Sequence, residues 1–368
     1  MHAEHVGSLL RPGYLLTARE RHRDGALSDE QLREAEDRAA LEALALQRDA
    51  GIGVFTDGEV RRDSWMAGLM ESVGGTVPAA ALHPVEWHRG DEIPDAAETS
   101  LDFVAATARV HRKNARTSVE AAFLAQHAPG PYKITMISSS MGALLWQQGL
   151  SGAVYASPAD LVHDLVALQI EEITELMDQG VNWIQLDSLG YNMVFGDEYR
   201  VSRGMGALPA QVILDTTIAA DRAMIAAARE RNPDVTVGMH ICRGNNRSAW
   251  MSKGSYEPVA ERLFGEVGAD RFLLEYDTER AGGFEPLRHI PSGAVVVLGL
   301  VSSKVPDLES QDYLRRRIDE AARYVPIENL AISPQCGFAS TAKGNLLTVD
   351  EEKRKLELVA DTARTVWG

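Results

Sequence analysis

Two hydrophobic periods alternate along the chain. Runs of four to eight mostly apolar residues are separated by longer segments whose apolar residues recur every three or four positions. The first period marks buried strands and the second amphipathic helices, which predicts a βα fold. Strands are expected at His5–Leu9, Gly53–Glu59, Tyr132–Ile137, Val181–Leu186, Asp234–Cys242, Arg271–Leu274, Ala294–Val301 and Leu330–Ile332. Helices are expected at about 28–50, 118–127, 157–179, 209–231, 256–267, 310–324 and from 348 onward. Ser28 with Gln31, and Thr348 with Glu351, form capping-box patterns, and Ser157-Pro158 pairs an N-cap serine with a first-turn proline.

Residues of about 74–115 break this rhythm with Gly74-Gly75, Pro78, Pro84, Trp87 and Pro94. They predict an irregular insertion containing a hairpin after the second strand. It either covers a site or is a tolerated surface excursion.

Nearly every expected strand ends in a polar or ionisable residue. These are His5 and Ser8, Asp57 and Glu59, Ser138 to Ser140, Asp187, His240 and Cys242, Glu275, Ser302 to Lys304, and Cys336. In a (β/α)8 TIM barrel such ends meet in one ring, whereas an open doubly wound sheet spreads them along an edge. The glycine fingerprint of a dinucleotide-binding first turn is missing. The expectation is therefore an α/β fold: a single (β/α)8 TIM-barrel domain over residues 1–368.

His240 and Cys242 lie two apart on a strand and so face the same side. An imidazole and a thiol there make half of a tetrahedral zinc site. The only other cysteine, Cys336, also ends an apolar run. Three readings stay open: small buried hydrophobes, a disulfide, or a metal site. With Glu275 the set becomes N, S, O, S, complete for zinc. Two thiolates and a carboxylate around Zn²⁺ leave one net negative charge. That favours an electron-rich bound thiolate over activated water, and hence alkyl transfer to sulfur over hydrolysis.

Charge narrows the partners. A formal net charge of −16 argues against a general nucleic-acid binder. No run of 18 uncharged apolar residues suggests a membrane span. The first residues lack a signal-peptide pattern, so a cytoplasmic location is expected.

At His240-x-Cys242, Leu274-Glu275-Tyr276-Asp277 and Ser333-Pro334-Gln335-Cys336-Gly337 the chain resembles the cobalamin-independent methionine synthase family, in its C-terminal catalytic barrel. His5-Val6-Gly7-Ser8, the stretch Asp57 to Asp63, and Ile184-Gln185-Leu186-Asp187 extend the resemblance over nearly the whole chain. It implies zinc held by His240, Cys242, Glu275 and Cys336. It also implies homocysteine bound at its amino-acid end by the His5-Val6-Gly7-Ser8 segment, Glu59 and Asp187, with Trp146 near a methyl donor, folate or another. Departures from the family are a single barrel, Asp187-Ser188-Leu189 in place of Asp-Glu-Pro, and no histidine in Leu300 to Pro306. There Ser302, Ser303 and Lys304 are the candidates for proton handling. The resemblance points to the short, single-barrel branch. Other zinc-thiolate alkylation, such as epoxide opening by coenzyme M, and a zinc-binding barrel without catalysis are the alternatives.

Overall fold

The computed structural model describes residues 1–368 except 81–85, 96–98, 100, 196–199 and 201–208. Six strands form one parallel sheet in chain order: β3 (Ile134–Ile137), β4 (Trp183–Asp187), β5 (Thr236–Ile241), β6 (Arg271–Glu275), β7 (Val295–Val301) and β8 (Leu330–Pro334). Two further strands, β1 (Val73–Ala79) and β2 (Phe103–Arg112), pair antiparallel as a separate hairpin. The mixed α/β fold is consistent with a (β/α)8-like barrel.

The six parallel strands are buried along almost their whole length, which is why they read as continuous apolar runs. The connecting helices bury one stripe each. Pro158–Asp178 starts at Ser157, whose side chain accepts from Asp160 N, and buries Leu161, Leu165, Ile173 and Leu176. Each such leucine or isoleucine contributes roughly 1.5–3 kcal/mol on burial. The helices Asp29–Asp49 and Val349–Trp367 both carry the complete capping box expected from sequence. The helix Gly13–Arg23 was not expected. Its polar sequence hides a buried Leu15 and a buried Arg19, whose guanidinium donates to the Arg62 carbonyl at 2.9 Å.

The first two expected strands need correction. His5–Leu9 forms no strand, the nearest pairing being an isolated parallel bridge of Ala3 with Ile332 on β8, and Gly53–Glu59 makes only an isolated parallel bridge of Phe55 with Tyr132 just before β3. Side chains take over the pairing a strand neighbour would supply. The Gln47 amide donates to Thr56 O and accepts from Thr56 N, both at 2.9 Å. The Thr56 hydroxyl donates to Gly7 O at 2.8 Å, and Leu9 N donates to Gly58 O at 3.0 Å. The two segments thus lie beside each other, each also touching one end of the six-stranded sheet.

Ionic contacts fix the N-terminal segment. The fully buried Lys133 ammonium donates to Glu4 Oε1 (2.9 Å), His5 O (2.6 Å) and Gln185 Oε1 (2.7 Å). Arg271 holds the other Glu4 oxygen at 2.8 Å. Burial opposes ionisation of Glu4, but the two cations outweigh it and hold its pKa at about 2. Among the described residues no helix is long and apolar enough to cross a membrane.

Candidate functional site

Parallel register aligns the strand ends. Asp187, the last residue of β4, is paired with His240 on β5, and Glu275 closes β6. Cys242 follows β5 by one residue and Cys336 follows β8 by two. At Gly299 on β7 an added Cβ would meet Gln335 Cα at 2.8 Å and Leu274 O at 2.9 Å. That close approach sets the chain leading to Cys336 against β6, and only glycine permits it.

The result is a compact cluster. Ligand-capable atoms of His240, Cys242, Glu275 and Cys336 all lie within 4.8 Å of one another, and all four residues are buried. The two free thiols are 3.4 Å apart, Sγ to Sγ. Neither His240 ring nitrogen has a hydrogen-bond partner. A buried imidazole with both nitrogens unpaired is costly in a protein interior, and a metal beside it removes part of that cost. The donor set is one nitrogen, two sulfurs and one carboxylate, a combination that fits a tetrahedral metal centre.

Electrostatics within the cluster are strongly coupled. Hydrogen bonding with Cys336, helped by burial, pushes the Cys242 thiol well above the usual thiol range. The same bond and neighbouring His240 pull Cys336 well below it, against the effect of burial. Burial lowers the His240 pKa, but Cys336, Asp187 and Glu275 more than offset this and raise it.

A ring of donors surrounds the ligands. Glu275 Oε1 accepts from Arg243 N at 2.7 Å, and Oε2 accepts from Arg280 at 3.1 Å and from Gln335 Nε2 at 3.2 Å. Gln335 Oε1 in turn accepts from Lys304 Nζ at 3.3 Å and Ser303 Oγ at 3.2 Å. Lys304 Nζ also donates to Asn245 Oδ1 at 3.1 Å. Ser302 Oγ accepts from Lys304 N at 3.3 Å. Ser303 and Lys304 therefore reach the cluster through Gln335, which sequence reasoning had not singled out.

The cluster opens into a cavity whose wall includes Ser8, Glu59, Asp187, His240, Cys242 and Cys336. Glu59 has φ 54°, a left-handed conformation unusual for a side chain of this size. Three contacts over-determine it: Glu59 N donates to Asp57 Oδ1, Arg11 donates to Glu59 O, and the Thr135 hydroxyl donates to Glu59 Oε1 at 2.8 Å. Gly7 makes room for this carboxylate, since a Cβ there would lie 2.6 Å from Glu59 Oε1. Gly337 does the same for Ser8, whose Oγ would be 2.0 Å from an added Cβ. Asp187 Oδ1 accepts from Gln185 at 3.0 Å. Burial, with a contribution from Glu59, raises its carboxyl to about 7, although His240 pulls the other way.

Two expected site residues are placed elsewhere. His5 is buried off the cavity wall, and burial beside Lys133 lowers its pKa to about 3, which keeps it neutral. Trp146 donates its indole N–H to Tyr155 O at 2.9 Å and is not on the wall. The rings on the wall are Trp65, Trp87 and Phe103. Trp87, Leu101 and Phe103 come from the insertion, so the hairpin region roofs the cavity. Arg243, in the loop after Cys242, is fully buried with its guanidinium over the Phe195 and Tyr256 rings at 4.8 and 4.3 Å.

Comparison with known proteins agrees with this geometry. Residues 3–364 match the family described as cobalamin-independent synthase, catalytic domain. YxjH and YxjG of Bacillus subtilis, both described as uncharacterised, are each 34% identical over 99% of this chain and 94% of their own. A methionine synthase of Saccharolobus islandicus is 23% identical over 95% of both chains. Among solved structures, one from Listeria monocytogenes, described provisionally as a vitamin-B12-independent methionine synthase, is 27% identical. It covers 100% of this chain and 98% of its own, with a TM-score of 0.73. A Shewanella B12-independent methionine synthase, solved with selenomethionine, shares the fold at 19% identity and a TM-score of 0.72, covering 99% of this chain and 97% of its own. Together with the cluster, the family match and the Listeria structure support metal-assisted chemistry of the methyltransferase type. The chain belongs to the family of cobalamin-independent synthase catalytic domains.

Proposed function

We propose that the protein is a zinc-dependent methyltransferase acting on the thiol of homocysteine, on a single closed (β/α)8 barrel, in cytoplasmic methionine biosynthesis. One observation carries the reading. Three residues of the cluster, His240, Cys242 and Cys336, share one cavity with two carboxylates, Glu59 and Asp187, and its described wall contains no lysine or arginine. Such a wall suits an amino-acid thiol, with its ammonium on the carboxylates and its sulfur toward the cluster.

Zinc held by His240, Cys242, Glu275 and Cys336 would supply the positive charge that keeps an incoming thiol deprotonated yet nucleophilic. The chain's own residues do the rest. Glu275 accepts three hydrogen bonds from the protein, which compensate its charge while no metal is bound. Glu59 and Asp187 fix the amino-acid end, and Ser8 lies where the substrate carboxylate would need a donor. The roof of Trp65, Trp87 and Phe103 excludes water from a displacement in which a sulfur–methyl bond forms as the donor–methyl bond breaks. A sulfonate thiol such as coenzyme M finds less support, because Arg243 and Lys304 are turned into buried contacts away from the wall.

The reading is tested without knowing the donor. Homocysteine is titrated calorimetrically into zinc-loaded protein in buffers of different ionisation enthalpy. About one proton should be released per thiol bound near neutral pH, and methionine should release none. Homocysteine binding without proton release would overturn thiol activation.

A further inference from the structure

A chain of contacts joins one cluster carboxylate to the roof. Arg280 Nη2 donates to Glu275 Oε2 at 3.1 Å and to Asp277 Oδ1 at 2.9 Å. The same guanidinium lies 5.5 Å from the centroid of the Trp250 ring. Trp250 stacks on His88 with centroids 4.5 Å apart and 26° between planes. Their backbones exchange two hydrogen bonds, His88 N to Trp250 O at 2.8 Å and Trp250 N to His88 O at 2.9 Å. His88 directly follows Trp87, a buried roof residue. Asn246 Nδ2 donates to Thr99 O and Arg89 donates to Arg247 O, both at 2.9 Å, fastening the insertion to the same loop.

We propose that Arg280 is a positioning residue that couples metal occupancy of the cluster to docking of the roof through Trp250 and His88. The guanidinium is shared among Glu275, Asp277 and the Trp250 face. Drawing Glu275 toward a dication weakens its hold on Arg280, which then rests on Asp277 and Trp250 and tightens the roof. Coupling of this kind is reciprocal: the factor by which metal favours the docked roof equals the factor by which docking favours metal. The proposal rests on the metal reading of the cluster but not on the identity of the thiol or the donor.

The test is amide hydrogen exchange of the full chain at residues 86–92, 99 and 101–104, metal-free and zinc-loaded, with zinc affinity measured by chelator competition. In the unaltered protein zinc should slow exchange there by about fivefold or more. Arg280→Met should abolish that difference and weaken zinc binding by about ten- to a hundredfold. Arg280→Lys, which keeps the cation, should restore part of both. His88→Ala, at a partly exposed position, should speed exchange of the roof while one zinc per chain is retained. Zinc binding with no change in roof exchange, or an Arg280→Met protein with a full zinc response, overturns the coupling alone. Failure of the unaltered protein to bind zinc overturns the coupling and the proposed function together.

Discussion

The two sides of the cavity are built in opposite ways. On the β5 and β8 side, His240 offers two buried nitrogens with no partner, and two thiols share one short contact; Glu275 on β6 is the exception among the cluster residues, already accepting three hydrogen bonds. On the other side, Glu59 and Asp187 each already accept a hydrogen bond, and Glu59 is locked from several directions. The difference separates the two jobs. Ligands for a metal can be left unsatisfied by protein, because the ion completes them. Carboxylates that receive a transient organic cation must be held in place and compensated between visits.

The comparison can be broken by removing one side at a time. The largest effect is expected from Cys336→Ala. Changes around metal ligands alone cost about 10- to 100-fold in affinity, so loss of a ligand should exceed about a hundredfold. Metal analysis after gel filtration should then find almost no zinc, and methyl transfer should vanish. Retention of one tightly bound zinc would show that Cys336 does not ligate.

Glu59→Gln should leave zinc at one per chain and raise KM for homocysteine by about 10- to 100-fold, the scale of one lost charged hydrogen bond. Steady-state kinetics with parallel metal analysis separate the two sides. A variant that loses zinc as well would merge them.

Asp187 allows a test by pH in metal-free protein. Its folded pKa of about 7 lies above the ordinary 3.8. Ionising it therefore costs stability as pH rises from about 4 to about 7, and nothing further is lost above that. Asp187→Asn removes this cost. The variant's gain on the unaltered protein should reach a few kcal/mol at about pH 8 and be smaller by about 2–3 kcal/mol at about pH 5. Urea denaturation at the two pH values checks this, and an equal shift at both would contradict it.

The smallest effect is expected from Thr135→Val, which removes the hydroxyl that donates to Glu59 Oε1. Thr135 supports Glu59 without touching the substrate, so only part of that contact's worth reaches binding: about 0.5–1.5 kcal/mol, a two- to tenfold rise in KM with zinc unchanged. Saturation kinetics would show it.

Much of the cluster was legible in the sequence, because strand period and chemistry coincide there. His240 and Cys242 are two apart at the end of an apolar run, and Glu275 and Cys336 also close such runs. The six parallel strands were legible for the same reason. The first two were not, since Gln47 and Thr56 supply with side chains what a ladder would supply with backbone. The roof was hidden differently. Trp87, Leu101 and Phe103 are apolar residues in an irregular stretch, and nothing in their order tells a cavity wall from a core. Gln335 and Arg280 act through single contacts that only the fold creates. Arg243 reads as a loop cation, yet the rings of Phe195 and Tyr256, distant in sequence, enclose it.

The most direct test is X-ray absorption at the zinc edge of freshly purified, reduced protein, with and without homocysteine. The account predicts one zinc per chain in a mixed nitrogen, oxygen and sulfur environment that gains a sulfur neighbour when the thiol is added. No zinc, or a coordination shell that homocysteine leaves unchanged, would contradict it.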